Sequence, residues 1–185
     1  MKKTIFILFS VFFLNTSYAQ DKYLTTIGYM DFFSHSPLED IKAVNHQVLS
    51  IIDFDTNEIV IHVLIKSFFF EKSLMQEHFN ENYMESDKYP KAKFKGKIIG
   101  FNRKNKNPQK VAIAGEINIH GISKKIRISS IIKQKNGKIY LKGYFYVLVK
   151  DFDVKIPGTK RNNIARSIKI SFDIKHKKRK KHSEQ

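Results

Sequence analysis

Apolar and polar residues alternate along most of this chain. Apolar side chains recur at every second position in a series of short segments, with polar or charged side chains between them. Such alternation is typical of β-strands that bury one face. It predicts eight strands, at residues 23–33, 43–53, 58–69, 92–101, 111–119, 124–134, 138–149 and 167–175. Eight one-sided strands with short connections predict an all-β fold, either an antiparallel up-and-down barrel or a sandwich.

The phase of the alternation assigns an inward face to most of these strands. In the strand at 43–53 both phases carry apolar residues, so the pattern does not decide which face points inward. The inward series elsewhere are Ile59, Ile61, Val63, Ile65 and Phe69; Phe94, Gly96 and Ile98; Val111, Ile113, Gly115, Ile117 and Ile119; and Ile168, Ile170, Phe172 and Ile174.

One helix is predicted at residues 73–84, between the third and fourth strands. Ser73 and Gln76 match the capping-box pattern of a helix start. The spacing that follows places one set of side chains on a common helix face, namely Leu74, Met75, His78, Phe79, Asn82 and Tyr83.

The pair Asn136-Gly137 predicts a hairpin between the sixth and seventh strands. Asn-Gly favours a two-residue turn in which both residues have positive φ. This turn places Lys135 opposite Lys138 and fixes the register of both strands. The further opposed pairs are then Gln134/Ile139, Ile132/Leu141, Ser130/Gly143, Ile128/Phe145 and Ile126/Val147. Because nearly all apolar inward residues meet apolar partners, this register is the expected one.

Several inward positions carry very small residues among large apolar ones. Such a pattern would leave an apolar void in a barrel, and a bound apolar ligand would fill it. Large side chains from opposite strands could equally fill the space, or the glycines could mark bends. The candidate cavity-lining residues are Phe69, Phe79, Phe94, Gly96, Gly115, Ile117, Ile128, Ser130, Gly143 and Phe145.

The N-terminus has the pattern of a secretory signal peptide. Lys2 and Lys3 precede an apolar run at residues 5–14, and Ser17-Tyr18-Ala19 fits a small-x-Ala cleavage site. Residues 1–19 are therefore predicted to be removed, and the protein to be periplasmic or secreted. The remainder divides into one domain at residues 20–175 and a basic, disordered tail at residues 176–185.

The chain carries a formal net charge of +17 and no cysteine. Disulfides, thiolate catalysis and cysteine-based zinc sites are thereby excluded. An exported protein rarely meets nucleic acid, so the basic tail indicates either a solvated end or attraction to anionic lipid head groups. Lys91, Lys93, Lys95 and Lys97 form an outward row that would also deter edge pairing of strands.

No arrangement of residues indicates catalysis. The histidines do not form His-x-His or His-x-x-x-His pairs within the domain, so no metal is expected. The carboxylates at Glu77, Glu81 and Glu85 suit a solvated helix face. His120, at a corner before Gly121, is expected to tie down its turn. The protein is therefore expected not to be an enzyme and to need no cofactor.

Two blocks in the chain carry a family resemblance. Lys88-Tyr89-Pro90 with Phe94, followed by Gly115-Glu116-Ile117-Asn118-Ile119-His120-Gly121, resembles the pattern of YceI-like exported proteins. The resemblance implies an eight-stranded lipocalin-like barrel that holds an isoprenoid-like lipid or another long amphiphile. The chain departs from the family pattern because it lacks tryptophan and has Lys150 before Asp151-Phe152. The alternative is a structural envelope protein whose barrel is packed and whose basic surface binds anionic membranes. Neither interpretation defines an oligomeric state.

Overall fold

The fold is described by a computed structural model that covers residues 21–35, 40–156 and 165–179. The expected signal peptide and the last six residues of the tail lie outside these ranges. The strands are β1 Lys22–Ser34, β2 Ile41–Asp53, β3 Glu58–Leu64, β4 Phe69–Phe70, β5 Lys91–Ile99, β6 Gln109–Ile119, β7 Ile122–Lys135, β8 Lys138–Leu148 and β9 Ser167–Lys178. The helix α1 spans Ser73–His78 and continues into a π-helical turn at Phe79–Tyr83, while short 3₁₀ turns lie at Ile65–Ser67 and Val149–Phe152.

Eight long strands close into an antiparallel barrel. The order is β1-β9-β8-β7-β6-β5-β3-β2, and the pairing of β1 with β2 completes the ring. The two-residue β4 pairs with the start of β2. Closure decides between the two architectures that the alternation left open, so the predicted lipocalin-like barrel with one short helix is confirmed. In the described part of the chain, no helix has the length and apolar character needed to cross a membrane.

Two strand boundaries differ from the prediction by more than two residues. The strand predicted at 58–69 ends at Leu64, where the 3₁₀ turn interrupts the alternation. That turn shifts the phase, so Phe69 is exposed whereas Phe68 and Phe70 are buried. The last strand continues to Lys178, three residues beyond the predicted domain end at residue 175, and His176 is fully buried. The tail therefore begins later than predicted.

The Asn136-Gly137 hairpin has the predicted register over its first half. Asn136 and Gly137 both have positive φ, and the pairing runs from Lys135↔Lys138 to Ser130↔Gly143. The two further predicted pairs, Ile128/Phe145 and Ile126/Val147, do not form. From this point β7 pairs with β6 and β8 pairs with β9, but not with each other. We call this unpaired stretch, Ile126–Ser129 of β7 and Tyr144–Val147 of β8, the seam.

The barrel interior has two different halves. At the end that carries the Asn136-Gly137 hairpin, aliphatic side chains pack the interior. These fully buried residues, which define the packed end, are Val48, Ile52, Ile59, Ile132, Ile139, Leu141 and Ile174. The opposite end, where β1, β3, β6 and β8 finish, carries α1 and both 3₁₀ turns. We call it the open end, because the cavity described next lies there.

Candidate functional site

A large apolar cavity occupies the open end of the barrel. Its volume is about 650 Å³, and it is partly open to solvent. Ile113, itself almost fully buried, belongs to its lining, whereas the aliphatic residues of the packed end do not. Pockets of about 300–1,000 Å³ with mainly apolar linings are typical of small-molecule binding sites. The barrel is therefore hollow in one half and solid in the other.

Four phenylalanine rings form one wall of the cavity. The rings are Phe32 on β1, Phe68 just before β4, Phe70 in β4 and Phe79 after α1. Their centroids lie 5.0–5.8 Å apart in five contacts. Edge-to-face and offset contacts of this kind stabilise aromatic clusters beyond the area that they bury. The cluster fastens the helical segment to the barrel and presents aromatic surface to the cavity.

Five of the ten predicted lining residues face the cavity together. They are Phe79, Phe94, Ile117, Ile128 and Phe145. Phe69 does not line the cavity, because the altered phase after Leu64 turns its ring outward, and it is 66% exposed. The other four, the small residues, lie outside the cavity lining and have other roles.

Gly96 and Gly115 allow two strand backbones to approach closely. They are opposed in the β5–β6 pairing. A Cβ on Gly115 would overlap the carbonyl oxygen of Lys95 and the Cα of Gly96. A Cβ on Gly96 would lie 2.7 Å from Cζ of Phe94, because the Phe94 ring folds over this glycine. These glycines accommodate neighbouring atoms and do not leave room for a ligand.

Ser130 and Gly143 are opposed as predicted, but a ring fills the space that they leave. A Cβ on Gly143 would lie 2.6 Å from Cζ of Phe172 and 2.8 Å from Oγ of Ser130. The prediction that this pair makes room for a ligand is therefore wrong, and the large side chain comes from the adjacent strand β9. Phe172 itself lines the cavity.

Most of the aromatic wall was not predicted from the sequence. Phe69 was selected in place of Phe68 and Phe70 because the 3₁₀ turn was not foreseen, although the Phe68-Phe69-Phe70 run marks an unusual segment. Phe32 was not selected either. The signal that could have found these residues is the helix face with Phe79, since an apolar helix face needs an apolar surface to cover.

A few polar side chains border the otherwise apolar lining. Lys72, His78 and Tyr83 lie on or just before the helical segment. Burial raises the pKa of Tyr83, so its hydroxyl remains a hydrogen-bond donor at neutral pH. These groups can pair with the polar or anionic end of a molecule whose apolar part lies inside.

His120 joins three segments at the open end. Its Nδ1 lies 3.0 Å from the carbonyl oxygen of Phe152, and its Nε2 lies 2.8 Å from the Glu85 carboxylate. Both neighbours are acceptors, so both bonds form when the ring is protonated on each nitrogen. His120, Glu85 and Asp153 all have positive φ. His120 thus holds its corner as predicted, and it also fixes the helical segment and the 3₁₀ turn at Val149–Phe152.

The described residues contain no cluster of His, Asp and Glu that could hold a metal ion. A serine–histidine pair lies in the described part of the chain, where Nε2 of His176 is 2.8 Å from Oγ of Ser50. Both residues are fully buried at the packed end and outside the cavity lining, so a substrate in the cavity does not reach them. Burial lowers the pKa of His176 to about 4.

The closed antiparallel barrel with one hollow, apolar half defines a lipocalin-like protein. The family model of the YceI-like domain matches residues 19–176, and the chain belongs to this family. Among curated protein sequences no relative matches the chain.

Solved structures with the same fold share little sequence with this chain. A polyisoprenoid binding domain from Saccharophagus degradans, implicated in plant cell wall breakdown, superimposes with a TM-score of 0.73 at 12% identity, covering 87% of this chain and 100% of its own. Burkholderia cenocepacia BcnA gives 0.69 at 15% identity over 80% and 95% of the two chains. The YCEI protein of Campylobacter jejuni gives 0.59 at 21% identity over 80% and 90%.

Proposed function

We propose that this protein binds the apolar chain of a long amphiphile, such as an isoprenoid-like lipid, and carries or sequesters it without catalysis outside the cytoplasm. The observation that carries the proposal is the apolar cavity of about 650 Å³ at the open end. The polyisoprenoid binding domain of Saccharophagus degradans, which has the same fold, supports the choice of ligand class. The signal-peptide pattern at residues 1–19 supports export.

The size of the cavity limits how much of a ligand lies inside. At about 30 Å³ for a group the size of a water molecule, the cavity accommodates about 20 such groups. An apolar chain of about this length would fill the hollow half and reach the floor near Ile113. A longer chain would leave its remainder outside the barrel.

The polar border of the cavity suits an anionic head group. Lys72 supplies a cationic group, His78 supplies a ring nitrogen, and Tyr83 supplies a hydroxyl. A phosphate or carboxylate at the end of an apolar chain would therefore pair with these groups. No acidic side chain lines the cavity within the described residues.

The cavity argues against the alternative of a structural protein with a packed interior. That alternative requires side chains to fill the whole barrel, and they fill the packed end alone. Attraction of the basic tail to anionic membranes is compatible with either role, and six of its residues lie outside the described ranges.

Lipid content of the natively purified protein tests the proposal. Ala92 lines the cavity from β5, so Ala92→Phe would place a ring inside it. Ala112 lies on β6 between the buried Val111 and Ile113 and therefore faces outward, which makes Ala112→Phe a matched control. We expect mass spectrometry of extracts to find an apolar amphiphile with the wild type and with Ala112→Phe, and much less with Ala92→Phe. Equal lipid from both variants, or none from the wild type even after incubation with polyprenyl phosphate, would refute cavity binding.

A further inference from the structure

An exposed aromatic patch lies on the outer face of β8. Tyr144, Tyr146 and Leu148 alternate with the inward Phe145 and Val147, and they are 56%, 60% and 40% exposed. We call these three side chains the Tyr144 patch. The two tyrosine rings lie 6.1 Å apart in an edge-to-face arrangement. Exposed aromatic and aliphatic groups that are contiguous on a surface usually mark an interaction site.

Two residues of the patch, Tyr144 and Tyr146, belong to the seam. The pairing of β7 with β8 stops at Ser130↔Gly143, and the patch begins at the next residue of β8. Ile128 on one side of the seam, and Phe145 and Val147 on the other, line the cavity. The barrel wall beside the patch thus lacks pairing between β7 and β8, although each of these strands still pairs with its other neighbour. Such a wall opens at lower cost than a paired one.

Basic side chains lie on the elements next to the patch. Lys125 and Arg127 are exposed across the seam on β7, Lys150 is exposed just after β8, and Nζ of Lys169 lies 4.8 Å from the centroid of the Tyr144 ring. None of Lys125, Arg127 and Lys150 forms an ion pair with another described residue.

Acidic groups near the patch are fewer, and some are already engaged. Asp173 pairs with Lys142, the exposed Glu116 on β6 lies opposite Lys125, Asp151 is half-buried, and Asp153 is exposed. The surface around the patch is therefore positive.

We propose that the Tyr144 patch docks on an anionic phospholipid bilayer and places the seam against it. Tyrosine has an apolar ring and a polar tip, which suits the boundary between head groups and acyl chains. Lysine and arginine around the patch attract the head groups. When the protein is docked in this way, an apolar chain passes between the bilayer and the cavity through the seam without crossing water. The inference rests on the proposed function, because it names the membrane surface from which the same cavity takes its ligand.

Flotation of the full-length purified protein with vesicles tests the docking surface. The vesicles are phosphatidylcholine alone or an equimolar mixture with phosphatidylglycerol. We expect binding to the anionic vesicles, with affinity reduced on the order of 100-fold when Tyr144, Tyr146 and Leu148 are all replaced by serine. The matched control replaces Ile27, Ile51 and Ile99 by serine; these are exposed on β1, β2 and β5, away from the seam, and their loss should not change affinity.

A single fluorophore gives a second measurement if the triple variant folds poorly. The chain has no tryptophan, so Tyr146→Trp introduces one reporter at the patch and Ile99→Trp one at the packed end. The emission of Tyr146→Trp should shift to the blue on adding anionic vesicles, and that of Ile99→Trp should not.

Three results would overturn the inference. They are wild-type affinity in the triple serine variant, an unshifted Tyr146→Trp spectrum in the presence of bound vesicles, and loss of vesicle binding on truncation after Arg179, which would assign docking to the tail. Failure of the proposed function is distinguished by Ala92→Phe, which changes the cavity and not the patch. If the wild type carries no lipid yet both patch measurements hold, the docking surface stands without the carrier role.

Discussion

His176 makes the free energy of unfolding depend on pH, because its ring is buried in the packed end of the barrel. The ring is fully buried between aliphatic residues, and Nε2 pairs with the Ser50 hydroxyl. Desolvation by burial lowers its pKa to about 4, opposed in part by backbone contacts with Ile139 and Ile174. In the unfolded chain the same ring has an ordinary pKa of about 6.5. The folded state therefore holds His176 neutral at pH values where the unfolded chain would protonate it.

The direction and size of the effect follow from this difference. Between pH 6.5 and about 4 the unfolded state binds more protons than the folded state, so the free energy of unfolding falls as the pH falls. Since each pH unit between the two pKa values is worth about 1.4 kcal/mol, His176 alone removes about 3 kcal/mol over this window. Above about pH 7 and below about pH 4 its contribution no longer changes.

Urea unfolding at several pH values between 7 and 4 measures this contribution. Other groups also titrate, so the informative quantity is the difference between the wild type and His176→Gln, which keeps a hydrogen-bonding partner for Ser50 but does not titrate. We expect the wild type to lose about 3 kcal/mol more than the variant over this range. Parallel pH profiles for the two proteins would refute the reasoning, because they would show that His176 does not change its protonation on unfolding.

Three further predictions concern packing and the chain ends. Gly143→Leu should lower the free energy of unfolding by at least about 1–3 kcal/mol, because its side chain meets the Phe172 ring, while bound lipid is retained; easy folding with loss of lipid would contradict this. Truncation after Lys175 should lower the melting temperature by several degrees, whereas truncation after Arg179 should leave it nearly unchanged, as calorimetry can compare. His120→Ala should cost about 2–4 kcal/mol in chemical unfolding through the loss of two hydrogen bonds; an unchanged midpoint would show that neither bond stabilises the fold.

The fold could be predicted from the sequence because local signals and burial agree along most strands. Strict alternation fixed the inward faces of β5, β6 and β9, and the Asn136-Gly137 turn fixed half of a hairpin register. Neither the alternation nor the turn predicts whether the sheet closes, because closure depends on the contact between β1 and β2. The family resemblance supplied that step, and the pairing of these strands bears it out.

The site was harder to predict, because small residues occur at inward positions for several different reasons. Gly96 and Gly115 accommodate neighbouring backbone and ring atoms, and Gly143 accommodates the Phe172 ring from β9. A single-strand pattern does not show which side chain of another strand enters such a space. The aromatic wall was missed for a different reason: three residues of 3₁₀ turn change which of Phe68 and Phe69 points inward.

Because the barrel has a packed end and a hollow end, the residues that stabilise the fold are different from those that would select a ligand. Fully buried aliphatic residues such as Ile52, Ile132 and Leu141 stabilise the barrel whether or not a ligand is present. The barrel is therefore expected to stay folded without a ligand, which suits the proposed carrier role. Substitutions among the residues that line the hollow end can alter what is accepted at little expense to the rest of the barrel. The same scaffold could thus diverge toward new ligands by changes confined to one end.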